Sequence, residues 1–174
     1  MQNADADAPL AYRERLAPSL WLFLAAAVGG PMVSLSFVPV GADLALVLGL
    51  VATALIVACM VLASPRLIVR GRTLHAGRAR IDARWLGRPT PTTGEEARAA
   101  RGPGLSARGW HLIRGGIDGI VVVPITDPAD PAPSWTLSTR TPDRLAAAIA
   151  AARARARLED GDEAGTAEDD ASLR

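Results

Sequence analysis

From Leu16 to Pro65 the chain holds a single charged residue, Asp43. It divides the segment into two apolar runs, Leu16–Ala42 and Leu44–Pro65. A helix rises about 1.5 Å per residue, so roughly 20 apolar residues cross a hydrocarbon layer about 30 Å thick. The pattern predicts a transmembrane hairpin: helices over Ser19–Phe37 and Leu44–Ala63, linked through Val38-Pro39-Val40-Gly41. Pro18 suits a helix start, where its missing N–H costs nothing. Pro31 follows Gly29-Gly30 in mid-span, so a kink is expected there. Small residues recur every fourth position as Ala26-Gly30-Ser34 and Ala45-Gly49-Thr53. Such stripes let two helix backbones approach closely. Tyr12 and Trp21 are candidates for the headgroup level, since each ring carries one polar atom.

After Pro65 the period changes to two. Leu67-Ile68-Val69 ends at Gly71, and Leu74, Ala76, Ala79, Ile81 and Ala83 then alternate with His75, Arg78, Arg80, Asp82 and Arg84. This predicts strands with one wet face and turns at Gly71-Arg72 and Gly77, with Trp85 and Leu86 extending the last strand. Thr93-Gly94-Glu95-Glu96 has capping-box spacing and opens a short helix that Gly102-Pro103-Gly104 closes. Further strands are expected over Gly109–Ile113, Ile117–Ile125 and Trp135–Thr139, with Pro124 marking an edge or bulge. Thr141-Pro142-Asp143 starts a closing helix with a hydroxyl cap, a first-turn Pro and a first-turn acid. Leu145, Ile149 and Ala152 give that helix an apolar stripe through about Arg157.

The fold class expected is therefore α+β. A disordered arm (1–15) precedes the hairpin (16–65). A small β-rich domain (66–157) follows, closed by the helix over 142–157, and residues 158–174 form a disordered acidic tail.

Charge refines this picture. The net charge is +1, and all 19 basic residues are Arg. Residues 66–157 carry 16 Arg against seven acids, and 158–174 carry seven acids against Arg174. Arg13 and Arg15 precede the first helix, Arg66 and Arg70 follow the second, and the link between them has no Arg. Positive residues stay cytoplasmic, so both ends belong inside an inner (plasma) membrane with the tip outside. A cleaved signal peptide fits less well, because the leader holds Asp5, Asp7 and Glu14 and the apolar run continues past Ala25-Ala26-Ala27. Arg66, Arg70, Arg72, Arg78 and Arg80 are candidate contacts for anionic lipid headgroups. Nucleic acid is not expected, since the aromatics of a base-stacking surface are missing from this patch.

No catalytic constellation emerges. His75 and His111 are isolated, and no zinc-ligand cluster, nucleophile elbow, dinucleotide fingerprint or P-loop occurs. Asp127 and Asp130 lack calcium-loop spacing and suit Asp-Pro turns. Cys59, the only cysteine, behaves as a small apolar residue of the second helix. No catalytic, cofactor or metal residue is assigned.

Several stretches carry a resemblance: Tyr12-Arg13-Glu14-Arg15-Leu16, Gly77-Arg78-Ala79-Arg80-Ile81, Val121-Val122-Val123, Asp127-Pro128-Ala129-Asp130-Pro131, and Trp135-Thr136-Leu137-Ser138-Thr139-Arg140 leading to Pro142. Over about Tyr12–Ala152 the chain resembles an actinobacterial family of small two-span membrane proteins known as a domain of unknown function. That resemblance implies no active-site residues; it marks Trp135, Ser138, Thr139, Arg140 and Pro142 as fold-motif positions. The architecture is also similar to membrane-attached bacterial pleckstrin-homology-like domains, or to a half-barrel. The function expected is a non-enzymatic, membrane-anchored binding or scaffold module. Its partners would be the bilayer, anionic headgroups and an unidentified protein. The alternative is an enzyme or enzyme subunit whose site a partner completes.

Overall fold

The computed structural model describes residues 8–17 and 20–172. Residues 1–7, Pro18, Ser19 and the last two residues lie outside this description, and with them most of the expected acidic arm and the expected helix-opening proline. The described chain is mixed α+β, with four α-helices and two four-stranded sheets. It divides into two compact units. One comprises Leu16–Pro65 with Arg114–Gly116; the other holds residues 8–15, Arg66–Ile113 and the chain from Ile117 onward.

The first unit is a pair of helices, α1 (Leu20–Phe37) and α2 (Ala42–Leu62). Among the described side chains of the two helices, Ala26, Gly30, Ala45 and Gly49 are the buried ones, four members of the two small-residue stripes. A Cβ on Gly30 would collide with Thr53 Oγ1 and lie 3.0 Å from the Gly49 carbonyl oxygen. Only glycine allows backbones this close. Among the described residues one helix, α2, is long and apolar enough to cross a membrane, with a mean hydropathy of 2.8; α1 is a shorter apolar helix. The expected pair of spanning helices is thus met by one helix of full length.

The second unit begins with a correction. Residues 10–15 were expected in a disordered arm, but Leu10–Arg15 forms strand β1. Its register on β2 (Arg66–Arg70) runs from Arg15 opposite Arg66 to Leu10 opposite Arg70, with an irregularity at Ala11. A short charged strand with no apolar alternation is hard to see in sequence, because its pairing comes from a partner beyond a 50-residue insertion. From β2 the first sheet continues through β3 (Thr73–Ala76) and β4 (Ala79–Asp82) as an antiparallel meander. Trp85 does not extend β4. Ala83–Trp85 is a 3-10 turn, which the Asp82 side chain caps at the N–H of Arg84.

The second sheet has the order β5-β7-β8-β6, from β5 (Thr90–Thr92), β6 (Trp110–Leu112), β7 (Gly119–Pro124) and β8 (Ser134–Thr139). β6 and β8 are parallel; the other pairings are antiparallel. The short helix α3 spans Gly94–Ala100. The closing helix α4 starts at Pro142 as expected, and its Leu145 and Ile149 are fully buried, as are Ile120, Val121 and Val123 of β7. It packs against strands of both sheets, so one core serves the whole unit.

A second correction concerns the tail. Residues 158–174 were expected to be disordered, but α4 runs to Ser172. Ala and Glu favour helix, and Glu159 and Asp160 are held by Arg72 across the unit. An acidic composition read alone does not show such a partner.

Candidate functional site

Within the second unit, two neighbouring features bring chemistry together: a polar knot and a basic sheet face. The knot joins β1 to the junction of β8 and α4. Glu14 Oε2 accepts from the Tyr12 hydroxyl and from Thr139 Oγ1, each at 2.6 Å. Glu14 Oε1 accepts from the Arg140 backbone N–H at 2.9 Å. The Thr141 hydroxyl lies 2.8 Å from the Tyr12 oxygen, and the Thr141 N–H donates to Thr139 Oγ1. If both hydroxyl protons go to Glu14, Thr141 supplies the Tyr12 oxygen, and every group has a partner. Burial raises the Tyr12 pKa, and its hydrogen bond to Glu14 adds to the rise, outweighing the two threonine contacts. Tyr12 therefore belongs to the folded β-rich unit.

Of the fold-motif positions, Thr139 and Arg140 enter this knot. Ser138 is buried in β8, Pro142 opens α4, and Trp135 packs on Trp110 with ring centroids 4.7 Å apart. The resemblance marked these residues as a group without showing that Thr139 and Arg140 meet Glu14 of β1.

The basic face is the outer surface of the first sheet. Residues directly opposite in paired strands share a face, so the register aligns Arg13, Ile68, His75 and Arg80 in one row and places Arg15 beside Arg66 in the next. Arg13, Arg15, Arg66 and Arg80 are exposed there, and Arg70 is half-buried at the end of β2. Arg78 is exposed at the β3–β4 turn. Arg72 departs from the expected patch, because its guanidinium bonds Asp82 at 2.9 Å, Glu159 at 3.1 Å and Asp160 at 3.0 Å. Partial burial pulls the Arg72 pKa down, but the hydrogen bonds to Asp82 and Asp160 more than offset this and hold it above its usual value. The patch thus loses Arg72 and gains Arg13 and Arg15, which sequence reasoning had used only for orientation. Strand pairing across the helical insertion is the signal that was missing.

Elsewhere Arg153 donates to the Leu86 carbonyl oxygen at 2.7 Å; its pKa is lowered by burial and then by Arg157 and Arg88. Among the described residues no three His, Cys, Asp or Glu side chains gather into a metal-binding group.

A family model described as a protein of unknown function (DUF3093) matches residues 11–149. No curated protein and no solved structure matches the chain. The matched span begins in β1 and ends in α4, so it includes both halves of the Glu14 knot.

Proposed function

The chain belongs to the DUF3093 family, and on its geometry we propose that it is an integral membrane protein whose helical pair anchors a non-enzymatic, β-rich binding module. The observation that carries this reading is the inverted packing of the helices. Ala26 and Ala45 are 3% and 1% exposed, whereas Leu35 and Leu50 are 70% and 74% exposed. In water the large side chains would be buried and the small ones spread over the surface. In lipid, small residues bring helices together while large ones face the acyl chains. α2, at 21 residues, is about 31 Å long and α1, at 18 residues, about 27 Å. Both fall in the range of about 17–25 residues used by spanning helices. Trp21, exposed near the start of α1, suits the interface.

The arginine bias supports a two-span topology with both ends on the cytoplasmic side of the inner membrane. The exposed face of the first sheet, with Arg13, Arg66 and Arg80, then meets anionic headgroups. A pleckstrin-homology-like architecture is supported by the meander and the closing helix; the parallel β6–β8 pair departs from it.

Alkaline extraction of native membranes tests the anchor. The chain is expected to stay in the membrane pellet, and release into the supernatant would overturn the reading. A reporter fused after Arg174, active only outside the membrane, is expected to be silent. Reconstitution in bilayers with and without about one-third anionic lipid tests the face, since each Arg near such a surface is worth about 1 kcal/mol. Alkylation of a cysteine placed at His75 in a Cys59→Ala background is expected to slow in the anionic bilayer. It should recover when Arg13, Arg66 and Arg80 are replaced by Gln.

A further inference from the structure

Between β1 and α4, within the β-rich unit, runs an open groove of about 740 Å³. Its walls include Tyr12 and Arg13 on the strand side, and Arg144, Ala148 and Ala151 on the helix side, with Arg140 at the junction. Among the described residues β1 is the edge of its sheet, with β2 as its one neighbour. The Leu16 N–H donates to the Pro65 carbonyl oxygen, which sets the alternation along β1. Glu14 and Tyr12 direct their backbone groups at β2; Arg13 directs its N–H and C=O away from β2. At Arg15 this edge is already met, since Arg140 Nη1 donates to the Arg15 carbonyl oxygen at 3.3 Å; the stretch around Arg13 is the part of the edge that can template another strand.

We propose that this groove binds an extended acidic segment of a partner protein, which adds to the first sheet as a strand alongside β1. Added strands take affinity from main-chain hydrogen bonds and specificity from the side chains lining the groove. A new strand lies about 4.8 Å from its neighbour, and the space for it comes from alanine on the helix wall. Ala147, Ala148 and Ala151 stand where longer side chains would close the gap. The charge of the lining selects an acidic occupant. Arg13 and Arg144 are exposed on opposite walls, while the one acid present, Glu14, is turned to Tyr12, Thr139 and Arg140. The groove lies wholly within the β-rich unit, so its test is independent of whether the helical pair enters a bilayer.

The test uses the full chain in non-ionic detergent with two fluorescein-labelled octapeptides, one alternating Glu and Val and one alternating Lys and Val. Saturable anisotropy is expected for the Glu–Val probe, with at least tenfold tighter binding than for the Lys–Val probe. Exchange of the Arg13 amide hydrogen should slow when the Glu–Val probe is added. Ala148→Leu, which fills the groove, and Arg13→Pro, which removes the outward N–H, should each weaken binding at least tenfold. Arg13→Gln should weaken it less than Arg13→Pro. Arg144→Glu, an exposed change that leaves the core untouched, should reverse the preference toward Lys–Val. Failure of the Glu–Val probe to bind, equal binding of both probes, or full affinity in both Ala148→Leu and Arg13→Pro would overturn the proposal. Removal of residues 162–174 is expected to leave affinity unchanged. A tenfold gain on that removal would identify the chain's own acidic end as the occupant and likewise overturn it.

Discussion

The backbone N–H of Arg140 donates to Glu14 Oε1 at 2.9 Å, joining positions 126 residues apart. Through this bond and the two hydroxyl contacts to Oε2, the first strand of the β-rich unit is fastened to the turn that launches its last helix. A carboxylate accepts at every site and donates at none, and here every neighbour is a donor.

Glu14→Gln keeps the shape and breaks that match. One Glu14 oxygen becomes an NH2 group that faces donors, and a buried polar mismatch of this kind costs about 1–3 kcal/mol. Denaturant unfolding of the full chain in detergent should show a loss in this range for Glu14→Gln. Thr139→Val should add little in the Gln background, because its partner is already gone. Additive losses would show that Glu14 and Thr139 act separately.

Tyr12 is the only tyrosine in the chain, so the tyrosinate absorbance band reports on it alone. Burial and the Glu14 hydrogen bond raise its pKa above 10.0. The folded state then holds the phenol proton more tightly than the unfolded state does. Stability from this group is complete below the unfolded pKa and falls as pH rises through the folded one. The folded chain should titrate at higher pH than the urea-unfolded chain. In Tyr12→Phe the alkaline loss of stability should shrink. Coincident titration of folded and unfolded chains would contradict the geometry of the knot.

The elements that announce themselves in sequence are those whose partners are local or whose periodicity is strong. β2 to β4 alternate and turn at Gly71 and Gly77, both with positive φ, and Thr141-Pro142-Asp143 marks the start of α4. The small-residue stripes of the helical pair were legible because close approach demands small residues at every fourth position. β1 was not legible: its Tyr-Arg-Glu-Arg run reads as solvated charge until β2 lies beside it. The end of α4 failed for the same reason, since Arg72 lies 87 positions from Glu159. Thr139 and Arg140 stood out as a motif, but their role needed Glu14 in place. The basic face could be half read, because Arg66 and Arg80 alternate in sequence while Arg13 joins them only through pairing.

Arg72 ties the β2–β3 turn to the far part of α4 through Glu159 and Asp160 and to β4 through Asp82. The Arg72 side chain is one-quarter exposed and Glu159 more than half, so solvent screens the network. Each exposed pair is worth about 0.2–1 kcal/mol. Replacing Glu159 and Asp160 together by Ala should therefore cost at most about 1–2 kcal/mol at low salt and less at 1 M. The cost should vanish in an Arg72→Met background. Undiminished loss in that background would mean that this part of α4 is held by something other than Arg72.

The helical pair offers a test in which two adjacent glycines should respond with opposite sign. A Cβ on Gly29 would meet Ile56 Cδ1 at 3.8 Å, an ordinary contact. On Gly30 it would overlap Thr53 Oγ1 and press on the Gly49 carbonyl oxygen at 3.0 Å; on Gly49 it would lie 2.7 Å from Ser34 Cβ and 2.9 Å from the Gly30 carbonyl oxygen. Alanine inside a helix gains about 0.5–1 kcal/mol over glycine through lower chain entropy. Gly29→Ala should collect that gain. Gly30→Ala and Gly49→Ala collect it too, but each pushes two backbones apart, and overpacking costs about 1–3 kcal/mol. Backbone cannot swing aside as a long side chain can, so the cost should win. Thermal unfolding in detergent micelles is expected to rank Gly29→Ala at or above the parent, with Gly30→Ala and Gly49→Ala below it. Equal stability of all three variants would mean that the two helices do not approach through Gly30 and Gly49, and the inverted packing that supports a membrane anchor would lose its central contact.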